Sequence, residues 1–287
     1  MGKRIRRNAS HIWLEWQIQS RKSMMRNIYL IIAKQIVEEA GRIIREARET
    51  NTFTFDFKSD ATPISNIDQQ VQDYMTKRLK DSFDIQVMGE ENCDEIDATQ
   101  PYWAIDPIDG TWSFITHENT SAINLSLIEN GEVVVGIVYN PFTHEFFQTE
   151  RGARSYIGML TLPLRPNPTV AVVNFKPERE HPIVRSLNQL FKEDKVKKLT
   201  SIGGSTTYSM CMVAKGAYSN YIAHFASSAN AWDLSAACLI IQNSGGFVTD
   251  LEGADIDPIN HQGYIIASAN AQARDDFLAM INPLINI

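Results

Sequence analysis

The chain has 287 residues, 44% apolar and 21% charged, with a net charge of −7 at pH 7, which suits a soluble fold able to bury a substantial core in one large domain or two packed halves. No run of eighteen apolar residues occurs, which argues against a transmembrane helix. Cys93, Cys211 and Cys238 are scattered without C-x-x-C spacing, which argues against a disulfide framework and a zinc site and fits a reducing compartment. The six histidines form no H-x-x-x-H or H-E-x-x-H pair. Residues 1–26 hold seven Lys/Arg against Glu15, leaving 20 basic and 33 acidic residues in the remainder. A body this acidic is a poor nucleic-acid surface, but it can gather carboxylates around divalent cations.

Residues 1–24 read as a basic extension preceding the fold, with Met24 or Met25 as alternative starts, because Glu15 and Gln17 interrupt any signal-like apolar core. "MRNIYLIIAKQIVEEAGRIIREARET" (25–50) predicts a long amphipathic helix, with Ile28, Ile32, Ile36, Ala40, Ile43, Ile44 and Ala47 at helical spacing. A second helix follows from about Asp68 to Lys80, then strands at 83–91 and 102–106. "AINLSLIENGEVVVGIVYNP" (122–141) is a hairpin signal around Glu-Asn-Gly-Glu, and 146–158 continues that sheet. Pro163, Pro166 and Pro168 mark a junction between a half at 25–165 and a half at 166–287. In the second half strands are expected at 169–174, 197–202, 218–223, 246–250 and 263–268, and helices at 182–193, 205–215, 230–244 and 271–284. The fold class is α+β, two layered halves with strands and helices mixed.

Acids stand at strand ends and helix starts: Glu90 and Glu91 after the 83–89 strand, Asp106 and Asp109 in "WAIDPIDGTWSF", and Asp233 in "NAWDLSAACLIIQNSGG". In a regular strand, residues i and i+3 point to opposite faces. D-P-I-D therefore aims both carboxylates at one point only if the chain turns between them, which Pro107 suits. Gly110 tolerates unusual dihedrals, and a helical turn at 111–115 would offer free N–H groups to an anion. Carboxylates with a backbone carbonyl are what Mg²⁺ takes, and a phosphate would fit between such cations and backbone donors. Each element also has a plainer reading. The D-P-I-D-G-T segment can be turn chemistry, Glu90-Glu91 a solvated pair, and Asp233 an acid favouring its helix dipole.

The ordered set "GEEN" (89–92), "WAIDPIDGTWSFI" (103–115) and "AWDLSAACLIIQNSGG" (231–246) resembles the inositol monophosphatase family of Mg²⁺-dependent, lithium-sensitive phosphatases. "KSDATPISNID" (58–68) is similar to that family's K-x-D-x-x-P-V-T-x-x-D segment, and "SIGGSTTYSMCMVAKGAYSNYI" (201–222) to its Gly-Ser helix opening. The likeness spans roughly residues 25–285 and implies a layered αβαβα sandwich, a cytoplasmic homodimer, two or three Mg²⁺ ions and a small phosphorylated metabolite as substrate, with no nucleic-acid or membrane partner. It implies Glu90, Asp106, Asp109, Asp233 and the Ile108 carbonyl as metal ligands, with Asp68 at a weaker position and Glu91 in support. It implies that Glu90 and Thr111 orient the attacking water, that Asp106 bridges two metals, and that the Gly110 and Thr111 backbone receives the phosphate. Gly204, Ser205 and Asp233 would contact the substrate.

Two departures bear on the substrate. Trp112-Ser113-Phe114 follows D-G-T where the family commonly has Thr-Asn-Phe or Lys-Asn/Glu-Phe, and no acid stands between His224 and Asp233, where an inositol-specific enzyme usually offers a glutamate. Inositol 1-phosphate is the best single substrate, with 3′-phosphoadenosine 5′-phosphate or histidinol phosphate as alternatives. A haloacid-dehalogenase-type phosphatase needs D-x-D-G-T, one residue shorter between its aspartates, with the first as nucleophile. A non-catalytic binding protein retaining the fold would be expected to lack a matched carboxylate, and none is missing. Lys58 either approaches a phosphate or pairs with Asp60 at the surface. His117 and His144 read as solvated loop residues, Trp112 as a pocket wall or a buried anchor, and Cys211 and Cys238 as core.

Overall fold

The computed structural model describes residues 9–59, 61–91, 95–165, 172–175, 182–201 and 203–285. Asp60, Asn92, Cys93, Pro166 and Pro168, all drawn into the sequence reading, lie outside them. The chain opens with α1 (Ala9–Glu49), β1 (Phe55–Phe57), β2 (Pro63–Ser65), α2 (Asn66–Ser82), β3 (Gln86–Gly89) and β4 (Tyr102–Asp109). It continues through α3 (Thr111–Ile115), β5 (Ala122–Glu129), β6 (Glu132–Asn140), β7 (Glu145–Glu150), β8 (Tyr156–Ile157) and β9 (Leu160–Thr161). Then come β10 (Val172–Phe175), α4 (Pro182–Lys192), β11 (Lys198–Ser201), α5 (Thr206–Ala214), β12 (Asn220–Ala229), α6 (Ala231–Asn243), β13 (Phe247–Thr249), β14 (His261–Ser268) and α7 (Ala271–Ile285).

Strands β3 to β9 form a seven-stranded sheet in sequence order, and a five-stranded sheet runs β11-β10-β12-β14-β13. Ile36, Ala40 and Ile44 of α1 and Val71, Met75 and Leu79 of α2 bury against Trp103, Ile105 and Leu125 on one face of the larger sheet. Its other face meets α5 and α6 through Val138, Phe147, Met210, Leu234 and Ile241, and the same helices cover Tyr221 and Ile265 of the smaller sheet. Outside that sheet, Leu187 and Leu190 of α4 and Phe277 and Ile281 of α7 pack on Ile222 and Ile266. The layers run αβαβα, because each sheet has two apolar faces and each helix pair supplies one apolar cover. The β5–β6 turn places Asn130 at φ 53° and Gly131 at φ 73°, the left-handed pair that matches strand twist in a two-residue hairpin.

Helix α1 begins at Ala9, not near Met25. Apolar spacing marks where a helix packs rather than where it starts, and no Pro or Gly stands between Ala9 and Ala40 to stop it. Ile28, expected on the packed face, is 41% exposed. The strand expected at 83–91 is confined to Gln86–Gly89, and the one expected at 102–106 runs on through Pro107 to Asp109.

Candidate active site

β4 pairs Asp106 with Asn124 and Asp109 with Ala122, so three steps on β4 oppose two on β5. The chain does not reverse at Pro107-Ile108, as a turn would make it. It bulges, and the bulge sets both aspartates on the face turned toward α5 and α6. Pro107 sits where its missing N–H costs no ladder bond. Asp106 is 3% exposed and accepts from the Ile108 N–H at 3.0 Å. Gly110 follows at φ 85°, and a side chain there would stand 2.6 Å from the Ser205 nitrogen. Only glycine fits both the dihedral and the close approach. Thr111 opens α3, its Oγ1 lying 3.0 Å from Asp68 Oδ1 and 3.1 Å from the Ile108 carbonyl.

Asp109 is held by the start of α5. Ser205 Oγ and Thr207 Oγ1 each donate to its Oδ2 at 2.6 Å, and the Thr207 and Thr206 N–H groups donate at 3.0 and 3.3 Å. Asp233 sits in the first turn of α6 and accepts from the Asn230 N–H at 2.7 Å, so the plainer capping role is real as well. Glu90 hangs from the end of β3, its N–H bonded to the Ile105 carbonyl. The β1–β2 hairpin brings Lys58 Nζ to 2.8 Å from Glu90 and 2.7 Å from Glu91. Burial opposes the Lys58 cation, yet the two glutamates outweigh it and raise its pKa.

These elements enclose a cavity of about 380 Å³. Glu90, Asp106, Ile108, Asp109, Gly110, Thr111, Gly204 and Asp233, all named from the sequence, line it. Asp68, Glu91 and Ser205 do not line it: they stand behind the wall, with Asp68 1% exposed in a capping box with Ser65. Sequence reasoning missed the other lining residues Thr62, Pro63 and Gly203, and it missed Thr206, Thr207 and Asn124 around Asp109. Trp112 lines the cavity at 48% exposure, so it is a wall and not a buried anchor. His117 and His144 are exposed loop residues, and Cys211 and Cys238 are buried.

Burial, then Glu90, Asp109, Asp233 and Asp68, push the Asp106 carboxyl well above the ordinary carboxylate range. Burial likewise raises Asp68 to about 6, against hydrogen bonds from Ser65 and Thr111, and raises Glu91 against Lys58. Among the described residues, no three His, Cys, Asp or Glu side chains form a group that could by itself hold a metal ion. The donor chemistry nonetheless fits a hard divalent cation. The donors are all oxygens, and the mutual repulsion at Asp106 is of the kind a cation relieves.

A family model described as "Inositol monophosphatase family" matches residues 26–283. The inositol-1-monophosphatase of Bacillus subtilis is 28% identical over 232 residues, covering 77% of this chain and 85% of the relative. That of Mesorhizobium japonicum is 26% identical, covering 91% and 99%. The suhB extragenic suppressor protein of Bartonella henselae superposes with a TM-score of 0.78 at 23% identity, over 88% of this chain and 98% of that one. With the layered fold and the acid-lined cavity in place, the chain belongs to the inositol monophosphatase family and is a phosphatase-type hydrolase of small phosphorylated metabolites.

Proposed function

We propose that the chain is a Mg²⁺-dependent phosphomonoesterase with inositol 1-phosphate as its best single substrate, and that it works as a cytoplasmic homodimer. The observation that carries this reading is one cavity lined by Glu90, Asp106, Asp109 and Asp233 beside Thr111 and the Gly110 backbone. Glu90, Asp106, Asp109, Asp233 and the Ile108 carbonyl would hold Mg²⁺, supported by Asp68 and Glu91. Bound Mg²⁺ supplies Lewis-acid polarisation of the phosphate and lowers the pKa of water.

The chain's own groups do the positioning. Thr111 Oγ1 can donate its one proton to Asp68 or to the Ile108 carbonyl, which leaves the hydroxyl oxygen to accept from the attacking water. Glu90, half-buried on the cavity wall, would orient that water and take its proton. The Gly110 and Thr111 backbone receives the phosphate, and Gly204 borders the alcohol portion while Ser205 steadies Asp109 from behind. Relatives named as inositol-1-monophosphatases support the substrate, while the acid-free 224–232 stretch and Trp112 favour trying other esters of the family.

The test is phosphate release from inositol 1-phosphate, 3′-phosphoadenosine 5′-phosphate and histidinol phosphate, with and without Mg²⁺. Release is expected only with Mg²⁺, and Glu90→Gln should lower it at least about a hundredfold. A Glu90→Gln protein that turns over like wild type would remove the proposed base, and a wild type that binds these esters without releasing phosphate would return the chain to a binding role.

A further inference from the structure

Asn124 is a buried amide in the middle of β5, 1% exposed, between the fully buried Ile123 and Leu125. Burying a polar side chain costs free energy unless its groups are bonded, and this one reaches three elements. Its Oδ1 lies 2.5 Å from Thr207 Oγ1 at the start of α5. Its Nδ2 donates to Asp109 Oδ2 at the end of β4, at 3.4 Å, and to the Trp232 carbonyl in the first turn of α6, at 3.3 Å. Ala122, Asn124 and Ser126 alternate on the face of β5 turned toward these helices, and Ser126 meets Ser235 of α6 at 2.6 Å.

Asp109 Oδ2 is crowded. It takes the Ser205 hydroxyl at 2.6 Å and the Thr207 N–H at 3.0 Å, while the one hydroxyl proton of Thr207 can go to it or to Asn124. Oδ1 accepts from the Thr206 N–H at the longer distance of 3.3 Å. Oδ2 is therefore committed to α5, and Oδ1 is the oxygen left for a cation.

Asn124 then ties this acid to α6. Asp233 directly follows Trp232, so one nitrogen holds both the Asp109 carboxylate and the residue before Asp233. Both contacts are long for N–H···O bonds, so they give direction more than strength: the two N–H groups of a planar amide diverge at a fixed angle. An amide also adds no charge beside Asp106, its partner across the β4–β5 ladder, which Glu90, Asp109, Asp233 and Asp68 already surround.

We propose that Asn124 is a positioning residue: its amide fixes Asp109 relative to Asp233 and thereby sets the affinity and size selectivity of the cation these two acids share. This rests on the Mg²⁺-dependent reading for the cation itself. Mg²⁺ demands near-ideal octahedral geometry, whereas Ca²⁺ accepts a looser set of oxygens, so losing the amide should penalise Mg²⁺ more.

The test is titration calorimetry of the full chain with MgCl2 and with CaCl2, without substrate, in wild type, Asn124→Leu, Asn124→Asp and Ser126→Ala. Asn124→Leu keeps the volume and removes the polar groups; it should weaken Mg²⁺ at least about tenfold and Ca²⁺ by less than about threefold. If that variant does not fold, Asn124→Ser, too short to reach both acceptors, carries the same expectation. Ser126→Ala removes a hydroxyl from the same face without touching either acid, and it should leave both affinities unchanged. Asn124→Asp keeps an oxygen for Thr207 and adds charge, so weaker Mg²⁺ binding is expected. Tighter binding there would mean that charge and not position sets the affinity, which overturns the proposal. Equal losses for Mg²⁺ and Ca²⁺, or an equal loss in Ser126→Ala, would reduce Asn124 to a structural residue and overturn it as well. A wild type that binds Mg²⁺, weakened by Asp233→Asn but not by Asn124→Leu, defeats this proposal alone; a wild type that binds no Mg²⁺ defeats the metal-dependent reading and this proposal with it.

Discussion

Asp109 accepts from Ser205, Thr206 and Thr207, and Asp233 accepts from Asn230, so each acid serves a helix start before any ligand arrives. The two roles separate by substitution. In Asp233→Asn the remaining carbonyl still accepts from Asn230, so thermal unfolding should stay within about 0.5 kcal/mol of wild type while phosphate release collapses. Unchanged turnover in that variant would leave Asp233 as a helix cap and nothing more. Asp109→Ala strips the start of α5 of its acceptor, and it should lose about 2 kcal/mol of stability as well as activity. At this scale the acids lining the cavity were legible, because D-P-I-D-G-T, the glutamate after β3 and the acid opening α6 each stand at an element boundary. The contact of Lys58 with Glu90 and Glu91 was not legible, since it depends on how the β1–β2 hairpin folds over a strand some thirty residues away. Nor could the sequence tell that Asp68, Glu91 and Ser205 stand behind the wall and not in it.

Among the elements, the β5–β6 hairpin is the plainest case of local chemistry fixing local structure. A side chain at Gly131 would touch nothing within 4 Å, yet the residue sits at φ 73°. Gly131→Val therefore isolates backbone strain from packing. It should cost about 1–2 kcal/mol, read as a lower urea midpoint with an unchanged slope; a midpoint equal to that of wild type would mean the turn relaxes freely. Elements with strong periodicity or turn residues were read well, including α2, the hairpin and the alternation from β10 to α7. The start of α1 was not, because no Pro or Gly between Ala9 and Ala40 punctuates the helix, and its apolar spacing marks the part that packs, where Arg26 also meets Glu129 at 3.2 Å. The extent of β4 was missed for a related reason: proline in a strand reads as an end, and the bulge that accommodates it is a property of the β4–β5 pair.

Considered whole, the molecule places its cavity where the end of the larger sheet meets the starts of α5 and α6, so groups from distant parts of the chain share one charged space. Asp106 lies buried among Glu90, Asp109, Asp233 and Asp68, which makes the site a source of electrostatic tension. A cation bound there should stabilise the whole fold by linkage, by about 2.7 kcal/mol at a hundred times its Kd. Scanning calorimetry should accordingly show Tm rising with MgCl2, beyond what NaCl of equal ionic strength gives, and rising less in Asp106→Asn. Equal responses in the two proteins would place the ion elsewhere. The layer order could be read from the sequence of elements together with the family likeness; the meeting of these particular ends could not, because it depends on the register between β4 and β5 and on the angle at which α5 arrives.

That register has one more implication. Two aspartates separated by a single residue would already lie on the same side of an ordinary strand, so the bulge is not needed to make them neighbours. What the longer spacing adds is a surplus residue, Ile108, outside the ladder, whose N–H donates to Asp106 and whose carbonyl accepts from Thr111. It contributes two fixed polar groups built from main chain, and short of proline no side-chain replacement can remove them.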